Sequence, residues 1–167
     1  MRALVVTVST RAASGVYDDR AGPVARDGLR EMDFEVDGPQ VVPDGDPVET
    51  ALRAAVSAEY DVVVTTGGTG LTPRDLTPEM TQRVIDREVP GIADAIRARG
   101  AEAGVLTAVL SRGIAVTRGR TLVVNLPGNP RAVEEGLAVL LPILPHAAQV
   151  LGGPLEHARP ADSGHRE

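Results

Sequence analysis

Three glycine-bearing loops hold most of the side chains with chemical potential in this sequence: Thr65-Thr66-Gly67-Gly68-Thr69-Gly70, Ser111-Arg112-Gly113 and Pro127-Gly128-Asn129-Pro130. In the first, three glycines let the backbone adopt positive φ and approach a ligand closely, while Thr66 and Thr69 offer hydroxyls. The loop leads to a helix start at Thr77-Pro78. Those parts suit an anionic, phosphate-bearing ligand at a helix N-terminus. They equally describe a glycine-rich strand-to-helix turn that binds nothing. Asp44 and Asp75 sit where strand regions and the glycine loop end. Their carboxylates match what a phosphate-bound magnesium ion needs, and they also match the ordinary use of Asp in turns and caps.

Several chemistries are excluded. Gly68-Thr69-Gly70 is followed by Pro73 where a dinucleotide fingerprint needs Gly, and all seventeen basic residues are Arg, so a Walker lysine is absent. With no Lys and no Cys there is no Schiff base, thiolate nucleophile, disulfide or thiolate metal site. The three histidines, His146, His157 and His165, fall in the last helical stretch or the tail, which disfavours Ser-His-Asp catalysis and zinc ligation. A formal charge of -6 argues against nucleic acid as a partner. Every fixed cation is instead a planar guanidinium fork suited to phosphate.

The elements that must position these loops read as alternating strands and helices. Strands are expected at Ala3–Val8, Val36–Val42, Val62–Thr66 and Thr121–Leu126, and Val62-Val63-Val64 and Leu122-Val123-Val124 have the unbroken apolar character of strands buried on both faces. Helix starts are expected where a capping residue precedes proline, at Gly22-Pro23, Asp46-Pro47, Thr77-Pro78 and Asn129-Pro130. Asp46 with Glu49 has capping-box spacing. Val48, Ala51, Leu52, Ala55 and Val56 trace one buried helical face, as do Val133, Leu137, Leu140, Leu141 and Leu144, with a kink expected at Pro142. Aromatics are only 2% of 167 residues, so Val, Leu, Ile and Ala must build the core. The pattern predicts a three-layer α/β/α sandwich with a mostly parallel central sheet, ligands lying beyond the carboxyl ends of its strands. Residues 1–151 form one domain in this reading, with a disordered polar tail over 152–167. Ala3–Val8 reads as a first strand and not a signal peptide, and no apolar run reaches membrane-spanning length, which points to the cytoplasm and no membrane partner.

Taken together, Thr65 to Glu79, Val89-Pro90-Gly91-Ile92-Ala93, Leu110-Ser111-Arg112 and Asn125 to Pro130 resemble the signature of the molybdopterin-binding (Mog and MoaB) family of molybdenum cofactor biosynthesis. Gly15 to Asp19 with Gly22-Pro23 resembles that family's first loop, and the match runs in order over residues 1–150. The resemblance implies transfer of AMP from ATP to the terminal phosphate of molybdopterin with release of pyrophosphate. It implies Mg2+, a homo-oligomer with a trimer favoured over a hexamer, and a handover to a molybdenum-inserting enzyme. By residue it implies catalytic and magnesium-binding roles for Asp44 and Asp75. Substrate contacts would come from Ser9, Thr66, Gly67, Gly68, Thr69, Gly70, Ser111, Pro127, Gly128 and Asn129. Side-chain chemistry adds phosphate neutralisation by Arg74 and Arg112.

This chain has Ser9-Thr10 where the family often has Ser-Asp, which removes a carboxylate from the rim. A catalytically inactive molybdopterin-binding protein is therefore the alternative reading. A nucleotide-pyrophosphate hydrolase like the related domain of competence-damage proteins is a third, expected in a longer chain.

Overall fold

The computed structural model describes residues 1–153, so most of the expected disordered tail lies outside the described residues. A six-stranded sheet forms the middle layer, in the order β2-β1-β3-β6-β5-β4. Its members are β1 (Arg2–Val8), β2 (Glu35–Val42), β3 (Val62–Thr66), β4 (Arg87–Glu88), β5 (Ala115–Arg118) and β6 (Thr121–Leu126). β2, β1, β3 and β6 pair in parallel, while β5 runs antiparallel to both β6 and β4. The four long strands fall where the apolar runs predict them. β4 and β5 were not expected, because two and four residues at one margin of a sheet are too few to display a periodicity.

Alternate strand residues point to opposite faces, and each face carries its own core. Ala3, Val5, Val62, Val64, Leu122 and Val124 pack against α2 (Ala21–Arg30), α5 (Pro90–Glu102), α6 (Pro130–Leu140) and α7 (Leu144–Gly152) through Ala25, Leu29, Ile96, Val133, Leu137 and Leu144. Leu4, Val6, Val63, Val116 and Val123 pack against α3 (Asp46–Ser57) and α4 (Thr77–Gln82) through Val48, Leu52, Ala55 and Met80. The result is the predicted α/β/α sandwich. α5 escaped the sequence reading because its buried face is Ala93, Ile96 and Gly100, two of them too small to mark an apolar stripe. The expected kink at Pro142 is a break between α6 and α7 with a 60° change of direction. No single described helix is long and apolar enough to cross a membrane.

Of the four expected cap-proline starts, only Asn129 behaves as predicted, its Oδ1 accepting from the Ala132 amide at 3.1 Å. α3 begins one residue early, with Gly45 at φ 94° preceding it, so Asp46 lies inside the first turn and forms no capping box with Glu49. Both acids instead face Arg83, at 3.3 and 3.1 Å. α2 begins at Ala21, and the cap role passes to Asp19, whose Oδ1 accepts from Gly22 N at 2.9 Å. Thr77 is a helical residue whose hydroxyl donates to Gly67 O at 2.9 Å.

One buried side chain ties the sheet to the helix below the glycine loop. Asn125 is 3% exposed, and its Nδ2 donates to Thr65 Oγ1 and Thr81 Oγ1, both at 3.0 Å, while its Oδ1 accepts from Ile114 N at 3.2 Å. Asn125→Ala leaves Thr65 Oγ1 and the Ile114 amide without partners in the core, while Thr81 Oγ1 keeps its bond to Thr77 O at 2.8 Å. The substitution should cost about 1–3 kcal/mol, a fall in Tm of roughly 3–10 °C for a domain of this size. An unchanged thermal midpoint in that variant would show that the network carries no stability.

Candidate functional site

β1 and β3 are adjacent, but the chain leaves them toward opposite sides of the sheet, which opens a crevice at their carboxyl ends. The glycine loop follows β3 at this switch point, with the Gly128 loop of β6 beside it. Gly67 N donates to Leu126 O at 3.0 Å. A Cβ on Gly67, at φ 92°, would lie 2.3 Å from Val8 O, so that position admits only glycine, while one on Gly128 would lie 3.1 Å from Gly67 Cα and press the two backbones apart by a few tenths of an ångström.

The hydrogen bonding of the loop is one-sided. Gly67 O accepts from Thr77 Oγ1 at 2.9 Å, Gly68 O from Thr77 N at 3.0 Å, Thr69 O from Arg112 N at 2.9 Å and Gly70 O from Arg112 Nε at 2.7 Å. The amides of Gly68, Thr69 and Gly70 donate to no described residue. Four consecutive carbonyls are thus engaged by protein while three consecutive amides are left for a ligand, an arrangement that favours an anion.

Two clefts meet at this loop. The larger, about 510 Å3, has Gly67, Gly68, Thr69, Gly70, Asp75 and Ser111 on one side and Pro127, Gly128 and Asn129 at its end. Ile96, Gly100, Val105 and Ala108 form an apolar wall, with Arg97, Arg131 and Glu135 at the polar margin. The smaller, about 380 Å3, lies between the ends of β1 and β3 and is lined by Ser9, Thr66, Asp19, Tyr17 and Arg20. Gly67, Gly68, Gly128 and Asn129 belong to both. In the smaller cleft Thr66 Oγ1 is buried without a hydrogen-bond partner, a rare state for a buried hydroxyl and one that a ligand would relieve. Ser9 Oγ accepts from Ala12 N at 3.1 Å and caps the short α1 (Thr10–Ala13).

The two expected carboxylates flank the loop. Asp44 Oδ1 accepts from Gly45 N at 2.9 Å and Leu76 N at 3.0 Å. Its Oδ2 lies so close to Gly68 that a Cβ there would stand 2.6 Å away. Asp75 Oδ2 accepts from Thr72 N at 2.9 Å and Thr72 Oγ1 at 2.7 Å, and a Cβ on Gly70 would stand 2.8 Å from it. Gly68 and Gly70 therefore make room for the two acids. Each carboxylate has one anchored oxygen and one that accepts from no described residue. Burial raises the Asp44 pKa above its ordinary value, opposed by the Leu76 and Gly45 amides and reinforced by the charges of Asp75 and Glu79. Among the described residues there is no cluster of three or more acidic or histidine side chains suited to hold a metal unaided. That donor set fits magnesium, which takes one or two carboxylates and completes its shell with phosphate and water.

Arg74 and Arg112 differ in placement. Arg74 is exposed and makes no ion pair with a described residue, whereas Arg112 is paired with Glu79, and neither of the two lines either cleft. Neither Arg20 nor Arg97 was singled out in the sequence, whereas Tyr17 lies within the Gly15 to Asp19 block. Asp19 was visible within the Gly15 to Asp19 block, but Arg97 lies on the unrecognised α5 and carried no signal. Thr10 Oγ1 accepts from Asp44 N at 3.2 Å, so this departure keeps a brace on the Asp44 loop while lacking a charge.

Because the folded pKa of Asp44 is raised, its contribution to stability is full at low pH and is lost as pH rises through the folded value. Asp44→Asn keeps the Oδ1 acceptor and removes the buried charge. It should melt higher than the parent at pH 7, with the gap closing at about pH 3 where the parent's Asp44 is protonated. Equal melting at pH 7 would remove burial as the cause. Gly68→Ala, whose Cβ at φ 64° would stand 2.2 Å from Thr77 Oγ1 and 2.6 Å from Asp44 Oδ2, should displace both and lower the thermal midpoint, and an unchanged midpoint would show that the loop absorbs the methyl group.

Residues 4–146 match the family described as "Probable molybdopterin binding domain". The chain is 35% identical over 155 residues to a molybdopterin adenylyltransferase of Helicobacter pylori, an alignment covering 89% of this chain and 86% of that protein. It is 38% identical over 152 residues to a molybdenum cofactor biosynthesis bifunctional protein of Synechococcus elongatus, covering 90% of this chain but only 47% of that relative. The solved structure of the molybdopterin biosynthesis Mog protein from Mycobacterium ulcerans superposes with a TM-score of 0.85 at 47% identity, covering 90% of this chain and 98% of that one. With the family match spanning most of its length and the same fold seen in its relatives, the chain belongs to the molybdopterin-binding domain family of molybdenum cofactor biosynthesis.

Proposed function

We propose that the protein is a molybdopterin adenylyltransferase, moving AMP from ATP to the terminal phosphate of molybdopterin. The observation that carries this reading is the meeting of two clefts at a single strip, Gly67-Gly68 against Gly128-Asn129, beside amides free to hold phosphate. Two polyanionic ligands in neighbouring clefts would meet there. An oxygen of the terminal molybdopterin phosphate attacks the α-phosphorus of ATP, the bond from that phosphorus to the bridging oxygen of the β-phosphate breaks, and pyrophosphate leaves. The substrate supplies the nucleophile, so the lack of Cys and Lys and the remoteness of His146 are no obstacle. The protein must instead align and neutralise.

In this reading the Gly68, Thr69 and Gly70 amides and the Thr66 and Thr69 hydroxyls hold phosphate oxygens. Ser9, Ser111, Pro127, Gly128 and Asn129 shape the two ligand sites. Asp44 and Asp75 would hold Mg2+ through their unanchored oxygens, and the ion would neutralise the triphosphate and the developing charge. A cation held there would also offset the charges of Asp75 and Glu79, which add to the burial that raises Asp44. Arg74 remains free to meet phosphate. The reading carries with it a cytoplasmic homo-oligomer, a trimer rather than a hexamer, that passes adenylylated molybdopterin to a molybdenum-inserting enzyme.

The second reading, a binding protein without turnover, is favoured by Thr10 alone. The Asp44 brace is kept there, but a carboxylate of the rim is missing.

Pyrophosphate release from ATP and magnesium, measured with and without molybdopterin, separates the two. Release that depends on molybdopterin is the expected result, and binding without release would leave the non-catalytic reading. Asp75→Ala should then lower turnover by roughly a hundred-fold or more, the scale of removing one transition-state charge contact. Full turnover in that variant would take Asp75 out of the mechanism.

A further inference from the structure

We infer that Arg112 and Glu79 form a latch that holds the phosphate-binding loop in its working shape, so that Arg112 acts on a bound phosphate through the loop and not by touching it. The inference rests on the reading of that loop as a phosphate cradle.

The geometry is unusual in how many loop groups one residue holds. Arg112 donates from its backbone N to Thr69 O at 2.9 Å, from Nε to Gly70 O at 2.7 Å, from Nη2 to Asp75 O, and from Nη1 to the Glu79 carboxylate. Among the described residues no other group donates to the Gly70 or Asp75 carbonyl. Between those two positions, Leu71 to Arg74 are exposed, and the bonds within the turn run only between Thr72 and Asp75. Without Arg112 the segment that carries Asp75 would be joined to the domain mainly at Leu76 N and at the two Thr77 bonds.

Glu79 completes the device from the first turn of α4. Its pairing with Arg112 holds its carboxyl below the ordinary glutamate range, so it stays ionised through neutral pH. A guanidinium already neutralised by this carboxylate is a poor direct partner for phosphate, but with its fork filled by carbonyls it is a rigid strut. The strut has its own anchor. Arg97 Nη1 donates to Ser111 O at 3.2 Å and Gly113 O at 3.0 Å, on either side of Arg112, and its Nη2 donates to Asp94 at 2.7 Å. Two guanidiniums in series thus carry the position of α5 to the Ser111 loop and on to the glycine loop. Of the three open amides Arg112 sets that of Gly70, through the Thr69 carbonyl of the same peptide, and it fixes the exit of the loop through Gly70 and Asp75, while Thr77 holds the peptides that carry the Gly68 and Thr69 amides.

The discriminating variant is Glu79→Gln, because the two roles open to Arg112 give opposite signs. If Arg112 contacted phosphate directly, removing its partner charge would leave anion binding equal or tighter. As a latch, the freed fork loses its seat, and binding weakens. We expect Glu79→Gln and Arg112→Lys each to weaken calorimetric binding of magnesium pyrophosphate roughly tenfold or more, the scale of losing a charge-assisted hydrogen bond. Amide exchange across residues 67–76 should quicken in both, with exchange in β1 and β3 unchanged. In turnover, KM for ATP should rise more than kcat falls. Equal or tighter pyrophosphate binding in Glu79→Gln, or unchanged exchange over 67–76 in both variants, would overturn the latch. Should the parent protein bind no pyrophosphate at all, the cradle reading fails by itself, and the exchange rates still decide whether the pair holds the loop.

Discussion

Everything at the candidate site depends on where four peptide carbonyls are held. The oxygens of Gly67, Gly68, Thr69 and Gly70 all accept from protein donors, two from Thr77 and two from Arg112. A peptide cannot present its carbonyl and its amide on the same side, so binding one set commits the other. Without those donors the same loop could turn carbonyls toward a phosphate and repel it. The glycines serve this arrangement in a second way. Gly68 and Gly70 have no Cβ, and the space is taken by Asp44 and Asp75, which brings two carboxylates against the loop proposed to receive the anion.

The sheet supplies the frame. β1 and β3 diverge at their connections, and the crevice they leave is the smaller cleft, while the gap between the ends of β3 and β6 opens toward the larger. Their separation is slight because Gly128 and Gly67 pack backbone to backbone. A larger residue at either position would force apart the strip where two ligands are proposed to meet. Asn125, at the next-to-last position of β6, joins that strand to β3 and α4, so the loop's entry and its exit share one buried polar support.

Arginine does more here than carry charge. Arg2, Arg53, Arg97, Arg112 and Arg131 each donate to at least one backbone carbonyl of a loop or helix end, at Ala58, Arg83, Ser111, Gly70 and Ala103 among others. A guanidinium has five donors in a fixed fork and can bridge a carboxylate and a carbonyl at once, which a lysine ammonium does with less geometric control. In a chain without lysine, loops around the site are pinned by side chains that a reading based on charge alone would assign to the ligand.

The parallel core strands, the two large amphipathic faces and the glycine loop were legible in the sequence because each rests on local rules: unbroken valine runs, helical spacing, and residues without a Cβ. The placement of Asp44 and Asp75 beside one loop was also anticipated, since both end segments at the same rim. β4, β5 and α5 were not legible, because short marginal strands and a helix with an Ala and Gly face leave no strong period. Three of four cap assignments moved for a related reason. Whether Asp46 or Thr77 caps a helix depends on what the rest of the fold offers its side chain, since Arg83 and Gly67 lie well along the chain from them, while at Gly22 the cap only moved three residues back, to Asp19. Composition and pattern by themselves determined the layers and the loops, because burial and backbone freedom are properties of residue type and spacing. Only the tertiary structure decided that Arg112 holds peptide carbonyls while Arg74 stays free, because a hydrogen-bond partner is chosen by distance in space and not along the chain.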